Sequence, residues 1–137
     1  MPARRPTWRR RLLRLVALGF GAAALAGMAA PAQLAGDMGL FLNGVNGYSQ
    51  FYAMYVGTSL AIAGLALFAA RNGHQPILGD ITALLVLAQP LGRLLAALSF
   101  GLPRGLLLVA CGAELAGGLL LLLLRPAARP ERRAAAP

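Results

Sequence analysis

Four long runs of apolar residues, separated by short polar or glycine-rich segments, divide this chain. They cover about residues 12–34, 51–70, 81–100 and 105–124. Each run is close to the roughly 20 residues with which an α-helix crosses a bilayer core of about 30 Å. Because only a helix satisfies its own backbone hydrogen bonds within lipid, each run is predicted to be a transmembrane helix. The pattern therefore predicts an all-α fold.

The connections between the runs are short, which makes consecutive helices antiparallel neighbours. The longest, 36–50, is rich in glycine and asparagine. The second, 71–80, contains an Asn-Gly turn signal, and the third, 101–104, contains Pro103 and is typical of a tight helical hairpin. Residues 12–124 are thus predicted to form one antiparallel four-helix membrane domain.

Composition supports a membrane protein. The 137 residues are 58% hydrophobic and 12% charged, whereas an ordinary soluble domain has about 25% charged residues. The net charge is +9, and all 13 basic residues are arginines, six of them within residues 4–14 and four within 125–133. Because no folded soluble domain presents these arginines, they indicate membrane topology and contacts with anionic lipid rather than nucleic-acid binding.

The arginine distribution predicts the orientation. Both arginine-rich termini are expected in the cytoplasm of a bacterium, with the bundle in the inner membrane. An even number of spans agrees with this placement, and Arg104 in the third connection is the one exception. Residues 1–11 and 125–137 are expected to be basic segments outside the membrane domain, and both termini are expected to be disordered.

An alternative for the N-terminus is a cleaved secretory signal, because basic residues precede an apolar and then alanine-rich stretch. Cleavage would leave a mature chain that begins near Gly36. The apolar stretch is longer than the roughly 7–15 residues of a signal core. A retained helix is therefore the favoured interpretation, and cleavage stays open.

Two charges lie inside neighbouring apolar runs, Arg93 in the third and Glu114 in the fourth. A charge at membrane depth is costly, so each is a candidate functional residue. In an antiparallel hairpin their distances from the shared turn differ by less than about one helical turn. The sequence therefore predicts an Arg93–Glu114 pair.

Further polar residues are expected at the same depth. Gln89 lies one helical turn before Arg93, and helical spacing places Tyr52, Tyr55 and Ser59 on one face of the second run. With the charged pair they form a predicted polar cluster in the outer half of the bundle. This cluster either locks helices in register or binds a ligand, and the sequence leaves both open.

Small residues recur every four positions in three of the runs, a pattern that lets membrane helices approach closely. The rows are Gly19, Ala23 and Gly27; Ala88, Gly92 and Ala96; and Ala113 and Gly117. They are expected to pack helices of this chain together or to pack the chain on a partner.

No metal, cofactor or catalytic motif stands out. The chain has one cysteine, Cys111, and one histidine, His74, predicted at different depths. We therefore predict no metal site and no cofactor, and an enzyme is the least favoured class.

The stretch GRLLAALSFG at 92–101, followed by a turn and an apolar helix with one glutamate, resembles the bacterial domain-of-unknown-function family 4345. The stretch SQFYAMYVG at 49–57 is similar to the start of that family's second helix. Gln50 stands in place of an acidic residue and Tyr52 in place of an arginine, so one charge pair is missing. The resemblance implies four membrane helices, with an intramembrane arginine at Arg93 and a glutamate at Glu114.

Two functions follow as expectations. The first is a non-enzymatic accessory or structural subunit, or a homo-oligomer, in which the Arg93–Glu114 pair holds helices in register. The alternative is a binding or transport module for a small anionic or quinone-like ligand. A cavity beside Arg93 would favour the alternative, and a fully packed pair would exclude it.

Overall fold

The computed structural model describes residues 5–126 of the protein, and all regular structure in this part is helical. The helices are α1 (Arg5–Ala29), α2 (Pro31–Asp37), α3 (Gly44–Phe51), α4 (Thr58–Arg71), α5 (Pro76–Phe100) and α6 (Leu106–Leu123). A π-helical segment, Tyr52–Gly57, joins α3 to α4, so that Gly44–Arg71 is one continuous helix. Within the described range, four helices are long and apolar enough to cross a membrane. The predicted all-α fold with four spans is confirmed.

Helix α1 starts earlier and ends earlier than the sequence pattern indicates. It runs from Arg5 to Ala29, so residues 5–11, which the sequence pattern assigned to a basic segment before the first span, are part of this helix. These residues continue the helix because Arg9 is buried and paired across the bundle, as described below. The early end follows from Pro31, because a proline disfavours helical geometry in the residue before it, and Ala30 has φ −144°. The predictions of disorder for residues 1–4 and 127–137 lie outside the described residues.

The second and third spanning helices are longer than predicted. The second begins at Gly44 rather than at 51. Helix α5 begins at Pro76 rather than at 81, because proline suits the first helical position, where no intrahelical N–H bond is made. The fourth span, α6, deviates from its predicted bounds by one residue at each end.

The helices pack as two pairs. Helix α1 lies along α4, and α5 lies along α6. Contacts between α4 and α5 join the two pairs. One end of the bundle holds the start of α1, the end of α4, the start of α5 and the end of α6. We call it the arginine end, and we call the opposite end the far end. Helices α1 and α6 meet near the arginine end, where Leu13 and Ala17 share an apolar cluster with Leu121.

Alanine and glycine dominate the packing between the helices. The cluster at the arginine end also contains Ala66, Ala69, Ala70 and Ala83, and a second cluster at the far end consists of Ala24, Ala35, Phe51 and Val56. A Cβ atom on Gly118 would lie 2.5 Å from Leu87 Cγ, so α5 and α6 lie so close here that a larger residue would displace Leu87. Small side chains therefore set the close spacing of these helices.

A lateral cavity with a charged pair: the candidate functional site

Arg93 and Glu114 form an ion pair across the α5–α6 hairpin. Arg93 Nη1 donates a hydrogen bond to Glu114 Oε2. Arg93 lies seven residues before the end of α5, and Glu114 lies eight residues after the start of α6. At about 1.5 Å per residue both are roughly 10–12 Å from the far end of the bundle. The side chains are 18% and 14% exposed, so the pair is shielded but not sealed.

The pair faces a cavity of about 360 Å³. Residues of α1, α2, the π-helical segment, α4, α5 and α6 line it, and most of them are apolar. The wall includes Leu15 and Met54, whose surfaces are 63% and 46% exposed. The cavity is therefore open at the side of the bundle, where α1 and α6 diverge. We call it the lateral cavity.

Three neutral polar side chains of the predicted cluster also line the lateral cavity: Tyr55, Ser59 and Gln89. None of them has a hydrogen-bond partner among the described residues. Ser59 is buried, and the ring of Tyr55 stacks on Phe51 with 5.1 Å between the ring centroids. The structure thus gathers five of the six predicted residues around one space.

Tyr52 does not join the cluster. Its side chain is 40% exposed, and its ring meets Phe51 edge-on, outside the cavity wall. The reason is the π-helical segment, in which each residue advances less around the helix axis than in an α-helix. The backbone N–H and the hydroxyl of Thr58 both donate to the carbonyl of Ala53, five residues earlier. The α-helical spacing that placed Tyr52 and Tyr55 on one face therefore does not apply.

Four small residues of the predicted rows in α1 and α6 line the lateral cavity instead of packing helix against helix. Gly19 and Ala23 form part of one wall, and Ala113 and Gly117 form part of the opposite wall. A Cβ atom on Gly19 or Gly117 would meet nothing within 4 Å. Gly27, in the first predicted row, does allow α1 to approach the π-helical segment closely. A Cβ atom on Gly27 would lie 3.1 Å from the side chain of Val56. The main effect of the rows in α1 and α6 is to leave open space.

A second ionic cluster, at the arginine end, did not emerge from the sequence. Asp80 Oδ1 accepts a hydrogen bond of 2.5 Å from Arg9 Nη2, and Asp80 Oδ2 lies 3.0 Å from Arg125 Nε. Arg9 also donates to the carbonyl of Pro76 at 3.2 Å. One carboxylate therefore ties the first, third and fourth spanning helices together.

Glycines make room for the arginines at this end. A Cβ atom on Gly79 would lie 2.8 Å from the guanidinium of Arg9, and one on Gly73 would lie 2.6 Å from Arg10 Nε. Arg9 is only 4% exposed, and its Nε has no hydrogen-bond partner. A signal for this cluster was present in the sequence, because Asp80 is the only acidic residue between positions 38 and 113. A lone carboxylate next to a membrane span needs a cation, and the nearby termini are rich in arginine.

Within residues 5–126, no group of three or more histidine, cysteine, aspartate or glutamate residues could hold a metal ion. Cys111 is a buried free thiol. The lateral cavity therefore offers hydrogen bonds, one compensated charge pair and apolar surface, which is the chemistry of non-covalent binding.

Comparison with known proteins identifies the family. Residues 8–125 match the family model described as Domain of unknown function (DUF4345). No curated protein and no solved structure matches the chain. The match covers all four spanning helices, the Arg93–Glu114 pair and the Asp80 cluster, and the chain belongs to the DUF4345 family.

Proposed function

We propose that this multi-pass membrane protein binds an amphiphilic molecule in the lateral cavity. The observation that carries the proposal is an open space of about 360 Å³ beside the Arg93–Glu114 pair, at membrane depth. Ligand pockets are typically about 300–1,000 Å³, mostly apolar, with a few convergent polar groups. The lateral cavity has this size and this lining.

The neutral polar side chains favour binding over a purely structural lock. A lock would satisfy its polar groups within the protein, because unpaired polar groups in a membrane are costly. Tyr55, Ser59 and Gln89 line the cavity without partners among the described residues. A ligand with a polar head would supply those partners, and its apolar part would lie against the apolar wall.

The distribution of the arginines supports one orientation of the protein in the membrane. Seven of them are placed at the arginine end, and Arg104 is at the far end; the seven are Arg5, Arg9, Arg10, Arg11, Arg14, Arg71 and Arg125. Because such an excess marks the cytoplasmic side, both termini would be cytoplasmic in a bacterial inner membrane. The lateral cavity would then lie in the outer half of the bilayer, and the cytoplasmic arginines would contact anionic lipid heads.

Filling the cavity tests the proposal. Gly19→Leu adds a side chain to the cavity wall where a Cβ atom meets nothing, and Gly92→Leu makes the same change on the exposed surface of α5. The probe is a long-chain alcohol that carries a photoreactive diazirine, applied to the protein in lipid nanodiscs. We expect labelling of cavity residues in wild type and in Gly92→Leu, and a loss of at least fivefold in Gly19→Leu. Equal labelling of all three proteins would refute the proposal.

A role as a subunit of a homo-oligomer or of a larger membrane complex is the second candidate. The row Ala88, Gly92 and Ala96 in α5 is exposed in the single chain, so this face is available to another helix. A cysteine at position 92, in a chain with Cys111→Ser, tests this candidate by disulfide cross-linking in native membranes. A cross-linked dimer, or a cross-linked second protein identified by mass spectrometry, would support it, and an uncross-linked monomer would count against it.

A further inference from the structure

We infer that the ligand of the lateral cavity is a neutral amphiphile whose head carries carbonyl or ester oxygen atoms. This inference rests on the proposed function and adds the chemical class of the ligand. It follows from the charge balance of the cavity, from its hydrogen-bond donors and from the shape of its apolar part.

The cavity wall carries no net charge. Its charged residues are Arg93 and Glu114, which are hydrogen-bonded to each other, and its other polar side chains are neutral. The nearest further ion pairs, at Asp80, lie at the arginine end of the bundle and do not line the cavity. An entering ligand therefore meets a pair of compensated charges rather than a free cation or a free anion.

A charged head would have to disrupt that pair. An anion that took Arg93 would leave Glu114 unpaired in a shielded site, and a cation that took Glu114 would leave Arg93 unpaired. Removal of one partner of a buried ion pair is strongly unfavourable because the other charge stays desolvated. A neutral head avoids both costs, since it can accept or donate hydrogen bonds while the pair stays intact.

Several groups in the cavity wall can donate hydrogen bonds to a ligand. The hydroxyls of Tyr55 and Ser59 can each donate one hydrogen bond, and the amide of Gln89 can donate two. A guanidinium has five N–H groups, and Arg93 has only its Nη1 hydrogen-bonded among the described residues. The remaining N–H groups of Arg93 can only donate, so they need an acceptor, and a head with carbonyl or ester oxygens supplies one.

The apolar part of the ligand would lie between α1 and α6. Gly19 and Ala23 face Ala113 and Gly117 across the cavity, so the walls carry little side-chain bulk there. The exposed Leu15 marks an opening toward the side of the bundle. A chain that lies in the surrounding lipid can thus extend into the cavity without crossing a polar surface.

A matched set of probes tests the class of ligand. Four compounds that each carry a ten-carbon alkyl chain compete with the photoreactive alcohol in nanodiscs: a decyl-substituted benzoquinone, decanol, decyl sulfate and decyltrimethylammonium. Each is used below the concentration that lowers the protein's thermal stability. We expect the quinone to compete best, decanol less well, and both ions at least tenfold more weakly than the quinone. Competition by decyl sulfate equal to or better than the quinone would overturn the inference, as would competition by none of the four.

These outcomes are distinct from failure of the proposed function, which would appear as equal labelling of wild type and Gly19→Leu. Tyr55→Phe and Tyr52→Phe form a matched pair of variants, because both residues pack on Phe51 but only Tyr55 lines the cavity. Tyr55→Phe should weaken competition by the quinone about fivefold, the loss of one ordinary hydrogen bond, and Tyr52→Phe should change it less than twofold. Equal effects of the two variants would contradict a donor role for Tyr55.

Discussion

Replacement of Asp80 by asparagine removes the carboxylate that holds the arginine end together. Asp80 accepts from the buried Arg9 at 2.5 Å and lies 3.0 Å from Arg125. Among the described residues, Arg9 forms an ion pair with no other carboxylate. The variant Asp80→Asn keeps the size of the side chain and removes only its charge, so its effect reports on the ion pairs.

The expected loss of stability is large because Arg9 is only 4% exposed. Removing one partner of a buried ion pair typically costs about 3–5 kcal/mol, since the remaining charge stays buried. The carbonyl of Pro76 still accepts a hydrogen bond from Arg9, and the new amide oxygen can accept another. We therefore expect Asp80→Asn to lower the free energy of unfolding by about 3 kcal/mol, the lower end of this range. Arg125 is 60% exposed, so Arg125→Gln should cost less than about 1 kcal/mol.

The assay is the free energy of unfolding in mixed micelles with increasing sodium dodecyl sulfate, followed by circular dichroism. Asp37→Asn is the matched control, because Asp37 forms no ion pair with any described residue, and it should change the free energy of unfolding by less than about 0.5 kcal/mol. The double variant Arg9→Leu with Asp80→Leu should be more stable than either single variant, because no buried charge is left unpaired. A loss below about 1 kcal/mol for Asp80→Asn, or strictly additive effects in the double variant, would refute the reasoning.

Three further outcomes follow from the packing of α5 and α6. Gly118→Ala should destabilise the protein by about 1–3 kcal/mol, because the new Cβ lies 2.5 Å from Leu87 Cγ. Gly92→Ala is the control, because it adds the same atom in open space. Equal stability of the two variants would contradict the predicted clash with Leu87. Arg93→Ala should lower the melting temperature, measured by size-exclusion chromatography after heating, because it leaves Glu114 unpaired. An unchanged melting temperature would show that an unpaired Glu114 does not destabilise the protein. The swap Arg93→Glu with Glu114→Arg should partly restore the melting temperature, and no recovery would count against a direct pair.

The Arg93–Glu114 pair was predictable because both charges are rare within apolar runs and the hairpin between them is short. Depth along two antiparallel helices depends only on residue counts from a shared turn, which sequence supplies directly. The Asp80 cluster was harder to predict, because six arginines near the N-terminus are equivalent in a sequence. Only the packing of α1 against its neighbours singles out Arg9 as the buried one.

The sequence by itself determined the four spanning helices, their antiparallel order and the levels of the intramembrane charges. These properties follow from local hydrophobicity and connection length, which act on each segment independently. The tertiary structure decided what the small residues do and which tyrosine lines the cavity. Gly19 and Gly117 leave open space because α1 and α6 diverge, and the π-helical segment turns Tyr52 away from Tyr55. Both features depend on how helices pack across the bundle, and no periodicity within one helix contains that information.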